Sequence, residues 1–396
     1  MLHDRLLAGV RFIDAGQAIA GPFAGSLLSD LGAEVIKVEL PSVAHEEVGN
    51  PATKVSRSLE YRNKKSITLD MRKPEGAAIL KRLIGVSDAL VENYSPGTME
   101  KWGLGLDQLA ESNPDIIMLR VSGYGQTGPN SHRSGWDRIG QAYGGLIHVT
   151  GEPDRPPAHP GYMLGDYLTG LFGALAVVSA IVHRDSQDCH EPQLIDLALY
   201  ESIFRFSGPM VPEFDKFGII QQRLGTQRPG RVPGDQFETR DGKWLIVLAL
   251  RQTHWVELTK AIGMPELATD PRFAEIGDRM DHVPELTAIL KAWFAAHDYD
   301  EVSGLLEKYR VPFGPIYDVA DILQDPHYIA REDIVEVDDP YVGTIKQPAP
   351  FPRLSHASPR VYAPAPKPGQ HNQEIYGDLL GFSAGELEAL TAAEVI

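Results

Sequence analysis

The group in this chain best placed for covalent chemistry is a carboxylate between a glycine and a long apolar run. In GYMLGDY, residues 161–167, Asp166 follows a glycine-bounded turn and opens a helical pattern that is almost wholly apolar through residue 183. An acidic side chain at such a point can cap the helix by accepting hydrogen bonds from its first amides. Held at the bottom of a cleft, the same carboxylate can attack an activated carbonyl and become acylated. Local sequence leaves both roles open. Asp137 and Glu92 are further carboxylates for that work, but neither adjoins a comparable glycine cradle.

Other polar clusters are less specific. Asn63-Lys64-Lys65-Ser66 precedes a strand pattern and offers two cations beside amide and hydroxyl donors. It reads either as solvated surface or as a seat for a phosphate-bearing ligand, which lysine meets as a flexible point charge. Gly16, Gly21, Gly25 and Gly32 lie near a strand-to-helix start, but their spacing is too wide for a dinucleotide fingerprint, and Pro22 removes an amide where phosphate would need one. No GKS or GKT phosphate loop and no HExxH motif occurs. His45, Glu46 and Glu47 are adjacent without ligand-like spacing, so no metal is expected.

The elements that must position Asp166 follow an alternating pattern. GVRFID (9–14), VIKVEL (35–40), SITLDM (66–71), ALVENYS (89–95) and IIMLRVSGYG (116–125) read as short strands. The runs FAGSLLSDLGA and RKPEGAAILKRLI between them carry apolar residues at helical spacing. That alternation predicts an α/β fold with a parallel sheet covered on both faces. The stretch 165–183 predicts a helix buried on all sides at the centre of the protein. Residues 221–234 read as a loop rich in Gly, Pro and Arg, and DGKWLIVLAL as a strand in a segment of different character. The expected organisation is a large domain over 1–220, a smaller one with its preceding linker over 221–330, and a return to the large domain over 331–396. GFSAGELEALTAAEVI closes the chain as a helix.

Composition narrows the class. With 396 residues, 43% hydrophobic and 23% charged, the chain suits a globular enzyme. Its 37 basic and 54 acidic side chains leave a formal charge of -17, which argues against a nucleic-acid partner. Cys189 is the only cysteine, so no intrachain disulfide can form. MLHDRLLAGVRFIDAG shows no export signal, and the apolar run 171–182 is too short to span a bilayer. A cytoplasmic protein without a membrane role is expected.

Taken in order, AGPFAGSLLSDLGAEVIKVE (20–39), NKKSITLDM (63–71), PEGAAILKRLI (74–84), ENYSPGTMEKWGL (92–104), NPDIIMLRVSGYGQTGP (113–129), LGDYLTGLFGAL (164–175) and GQHN (369–372) resemble the class III coenzyme A transferases, the family of formyl-CoA transferase and alpha-methylacyl-CoA racemase. The resemblance implies a doubly wound, Rossmann-like large domain with a smaller α/β domain. Each subunit would be an open ring interlocked with a second in a dimer, although a heteromer with a homologous subunit is also known in the family.

It further implies that Asp166 is the catalytic aspartate, passing through a mixed anhydride and an aspartyl-CoA thioester, with Gln17 donating to a reacting oxygen. Coenzyme A would be a substrate rather than a tightly bound cofactor, with acyl-CoA and carboxylic acids as partners. The stretches matching its site hold Ala18, Lys64, Lys65, Asn93, Tyr94 and Lys101. Ile19 and Trp136 stand where formyl-CoA transferase has glutamine and tyrosine, which implies either a larger, less polar acyl pocket or plain packing. The donor could be succinyl-CoA, with Arg223, Arg228 or Arg231 either clamping a free carboxylate or forming a surface cluster. Racemisation is the alternative activity, and a non-catalytic subunit of a heteromer is a second alternative. The racemase histidine is replaced by Trp136, whose indole nitrogen only donates and cannot act as a base.

Overall fold

The computed structural model describes residues 5–42, 51–187, 190–227 and 230–396. His45, Glu46, Glu47, Cys189 and Arg228 lie outside them. The described chain divides into two compact units, one of Met1–His148, His159–Ile220 and Arg331–Ile396, the other of Val149–Ala158 and Gln221–Ala330.

The first unit is built on six strands: β1 Arg11–Asp14, β2 Glu34–Glu39, β3 Lys64–Thr68, β4 Ala89–Glu92, β5 Ile117–Ser122 and β6 Gln193–Ala198. All pair in parallel in the order β3-β2-β1-β4-β5-β6. Successive strand residues point to opposite faces, and both faces are covered. Ile13, Ile36, Leu90 and Met118 enter one core, while Phe12, Val35, Val91 and Leu119 enter the other. This explains why the strands read as continuous apolar runs. The helices that matter to the site are α1 Ala20–Asp30, α2 Pro51–Glu60, α3 Pro74–Ile84, α4 Asp137–Tyr143, α5 Leu164–Gln187 and α6 Leu199–Arg205.

Helix α5 differs from its expectation. It runs for 24 residues, and by length and composition alone it is long enough to cross a membrane. Its small-residue face lies against α1, where a Cβ on Gly170 would meet the Ala20 carbonyl oxygen at 2.7 Å. The opposite face exposes Leu171, Leu175 and Val182, at 47%, 59% and 60%. The helix is therefore buried on one side, not all round, with α1, the sheet and the neighbouring short helices packed against that side.

The late segment completes the sheet. Strand β3 is an edge, and residues 369–372 close it without forming a strand. His371 Nδ1 accepts the Ser66 N–H at 3.0 Å, and Asn372 Oδ1 accepts the Thr68 N–H at 2.9 Å. The GQHN stretch thus satisfies amides that an open edge would expose. Val395 and Ile396 then enter the same core as Ile67 and Leu80. The hairpin β10 Ile334–Asp339 and β11 Gly343–Pro348 belongs to this unit.

The second unit carries an antiparallel sheet of β7 Gly234–Glu238, β8 Trp244–Leu248 and β9 Phe313–Pro315. Helix α7, Val283–Phe294, packs on it, with Phe237 and Phe294 stacked at 4.3 Å. Residues 149–158 join this unit, although sequence assigned them to the larger one.

A buried charge cluster sits at the centre of the parallel sheet. Asp14 is fully buried at the end of β1, with Lys37 Nζ at 3.1 Å and Lys64 Nζ at 2.9 Å. Burial pushes the Asp14 carboxyl up, but the two lysine charges outweigh it and hold it below its ordinary 3.8. Replacing Asp14 with alanine leaves two ammonium groups buried without a carboxylate. The expected cost is about 3–5 kcal/mol, read as a lower urea midpoint at unchanged slope.

Candidate active site

Loops that leave a parallel sheet in opposite directions open a crevice beyond the carboxyl ends of the strands. Here the switch lies between β1 and β4. The loop after β1 is locked to the loop after β4 by one amide. Asn93 Oδ1 accepts the Gln17 N–H at 2.7 Å, and Asn93 Nδ2 donates to the Gln17 carbonyl at 2.7 Å. Below it, Asp14 Oδ1 accepts the Gly16 N–H at 3.0 Å and Lys37 Nζ donates to the Gly16 carbonyl. Directly after these two held residues, Ala18 takes φ +55, a left-handed conformation that is uncommon for alanine.

A third wall comes from the loop before α4. A Cβ on Gly123 would lie 2.4 Å from the Gly135 Cα, so two bare backbones cross at the end of β5. This crossing carries Arg133 and Trp136 over the strand ends, and Trp136 is 67% exposed.

The resulting cleft is lined by Gln17, Ala18, Ile19, Asn93, Tyr94, Arg133, Trp136 and Asp166 among others. It therefore brings together seven of the ten site residues expected from sequence, Gln17, Ala18, Ile19, Asn93, Tyr94, Trp136 and Asp166. Asn93 contributes by holding the loop, with both ends of its amide engaged. Gln17 Nε2 reaches toward the Tyr94 hydroxyl at 3.5 Å, and Tyr94 packs edge-on to Trp102 at 5.0 Å.

Three expected residues stand elsewhere. Lys64 is fully buried, donating to Asp14 and, at 2.6 Å, to the Pro22 carbonyl; burial draws its ammonium below the usual lysine range. Lys65 bridges Glu34 at 2.5 Å and Glu374 at 2.6 Å. Lys64 therefore has no exposed ammonium to offer a ligand, whereas Lys65 is a partly exposed cation paired with two carboxylates away from this cleft. Asn63 is spent likewise, donating to Asp30 at 2.7 Å and accepting the Ala363 N–H at 3.0 Å. Lys101 ends a one-turn helix as an exposed side chain and does not line the cleft.

Glu92 is fully buried against Arg120 at 2.6 Å, which removes it as a nucleophile. Arg223 and Arg231 belong to the second unit. Arg133 is the cation among the described lining residues, and sequence reasoning did not single it out. The available signal was its position three residues before Trp136, in the same glycine-bearing loop.

Asp166 is half-buried in the first turn of α5. Among the described residues no cation comes within ion-pairing distance. Burial pushes its carboxyl up and the nearby Asp137 charge pushes it further, to about 7 from an ordinary 3.8. A carboxylate so poorly stabilised is a better nucleophile and base than one in water.

This fold is shared with a known family of enzymes. The chain belongs to CoA-transferase family III, whose model matches residues 7–372. It is a class III CoA transferase. It is 43% identical to succinyl-CoA–D-citramalate CoA-transferase of Chloroflexus aurantiacus, over 99% of this chain and 98% of that protein. It is 34% identical to mouse succinyl-CoA:glutarate CoA-transferase, over 98% and 90%. The crystal structure of a CAIB/BAIF family protein from Brucella suis superposes with a TM-score of 0.84 at 31% identity, covering 95% of this chain and 99% of that one.

Difference infrared spectra of the wild type against Asp166→Asn should show a protonated-carboxyl band that fades with a midpoint near pH 7. A midpoint near 3.8 would mean that the carboxyl is solvated like a free aspartate.

Proposed function

We propose that this chain transfers coenzyme A from succinyl-CoA to a small dicarboxylic acid, with Asp166 as the covalent relay. The observation that carries this reading is the unpaired Asp166 carboxylate facing the switch-point cleft. One Asp166 oxygen attacks the thioester carbonyl, the C–S bond breaks, and the CoA thiolate leaves a mixed anhydride. The thiolate then attacks the Asp166 carbonyl, which releases succinate and leaves CoA on the enzyme as a thioester. The acceptor carboxylate attacks that thioester and again expels the thiolate. Attack of the thiolate on the acceptor carbonyl gives the new acyl-CoA and restores Asp166. Each transfer conserves the thioester free energy that hydrolysis would lose.

In this reading Gln17 and the left-handed Ala18 segment give the reacting oxygen its hydrogen bonds, because preorganised donors stabilise developing charge. CoA passes along Tyr94 toward Lys101 and is a substrate, with no tightly bound cofactor. Ile19 and Trp136 shape the acyl pocket. Dicarboxylic partners are supported by relatives named for citramalate, malate, glutarate and mesaconate transferases. Arg133 supports them too, as a guanidinium on the cleft wall able to fork onto a second carboxylate.

We further propose an interlocked homodimer in the cytoplasm. Besides the exposed apolar side of α5, where Phe172 meets Phe206, the side chains of Phe204, Phe206, Phe214 and Phe217 are bare, and large exposed apolar groups of this kind mark interaction surfaces. Two relatives are named as the alpha and beta subunits of one malate transferase, at 36% and 38% identity, so an unlike partner is the competing assembly.

Incubation with succinyl-CoA and a panel of mono- and dicarboxylic acids, followed by hydroxylamine, should leave a hydroxamate on the peptide containing Asp166. Asp166→Ala should lower transfer by ~10³-fold or more. Undiminished transfer without an adduct would refute the relay. Arg133→Gln should raise KM for dicarboxylic acceptors about tenfold while leaving any monocarboxylic acceptor unaffected. Light scattering of the purified chain should report two copies per particle, and a monomer would count against the assembly.

A further inference from the structure

The charged group nearest Asp166 is one that makes its ionisation harder. Asp137 is buried at the start of α4, and its Oδ1 accepts the Asp166 backbone N–H at 3.2 Å. The other oxygen, Oδ2, accepts from Gln141 Nε2 at 2.7 Å. A Cβ on Gly165 would lie 3.0 Å from Asp137 Oδ1 and 3.1 Å from the Asp137 carbonyl oxygen, so a glycine there lets the starts of α4 and α5 touch. The contact does two things at once. It caps an orphan amide in the first turn of α5, and it sets a second negative charge beside the first.

We propose that Asp137 is a positioning residue for the transfer. Its carboxylate fixes the backbone of Asp166, and its charge biases Asp166 away from the free anion toward its uncharged, covalently occupied forms. This rests on the reading of Asp166 as the relay. The free enzyme holds two neighbouring carboxylates, whereas the anhydride and the thioester each hold only one. Acylation relieves the repulsion, so Asp137 favours the forward step at every entry into a covalent state.

The surrounding charges leave that role to Asp137. Tyr167 turns away and donates its hydroxyl to Glu60 Oε1 on α2 at 3.1 Å. Glu201 of α6 accepts the Ala198 N–H at 2.9 Å, and Asp196 of β6 accepts the Gln126 N–H at 2.9 Å. Arg120 of β5 is bound to Glu92 and Glu100. Tyr94 and Arg133 lie on the cleft wall, and His159 Nε2 stands 3.9 Å from Asp137 Oδ2, on the side away from the shared N–H. Among the described residues, it is Asp137 that raises the Asp166 carboxyl beyond the effect of burial.

Asp137→Asn keeps an oxygen for the Asp166 N–H and removes the charge. Single-turnover formation of the Asp166 adduct from succinyl-CoA should then lose its acidic limb near pH 7. The limb should move down by about one unit, so the variant outpaces the wild type at low pH. Above the limb it should be about tenfold slower, with less enzyme trapped as adduct at equilibrium. Asp137→Ser, which retains a capping oxygen, carries the same expectation if the amide variant fails to fold. A limb that stays in place, with adduct forming at the wild-type rate, would overturn the proposal. A wild type that forms no adduct at Asp166 would instead overturn the relay itself.

Discussion

Charge compensation at the heart of the sheet, and its absence one helix away, organises this molecule. Lys37 within β2 and Lys64 and Lys65 at the start of β3 are paired with Asp14, Glu34 and Glu374, and none of the three lines the cleft. Asp166 instead is destabilised as an anion by burial and by the neighbouring Asp137 carboxylate. In a medium of low dielectric, that difference separates an acid that stays ionised from one that reacts. The same scaffold therefore provides a rigid, neutralised floor and an unsettled carboxylate above it.

The floor is what makes the cleft reproducible. Asp14 and Lys37 hold Gly16 from below, and Asn93 holds Gln17 from the side. These bonds fix the two residues that lead into Ala18, which takes a left-handed conformation uncommon for alanine. The glycine crossing at Gly123 and Gly135 does the same for the opposite wall, since any side chain there would force the loop off β5. Precision at a reacting centre of this kind comes from supports that never touch the substrate.

Much of this was legible in the residues. Alternating apolar strands and helical runs predict a parallel α/β sheet, and Gly165-Asp166 before a long apolar helix predicts a carboxylate at a helix start. What escaped was burial of charge. Lys64 looks like a surface cation because lysine is so seldom fully buried, and nothing local shows that Asp14, some fifty positions earlier, will meet it. The helix 164–187 looked buried all round because composition cannot tell a core from a face left for another molecule. Arg133 and Asp137 were visible as residues, but not that Arg133 would line the Asp166 cleft or that Asp137 would accept the Asp166 N–H, since both placements come from contacts between distant segments.

The edge of β3 has a consequence for how the chain is made. Ser66 and Thr68 receive their partners from residues 305 and 304 positions later, and the core beneath them takes in Val395 and Ile396. During synthesis the six strands are complete long before those residues leave the ribosome. The nascent sheet must wait with one flank open, and an open flank recruits strands from other molecules. Production of this protein should therefore be unusually sensitive to C-terminal truncation and to holding chaperones, while the finished molecule, its flank sealed, carries no trace of that vulnerability.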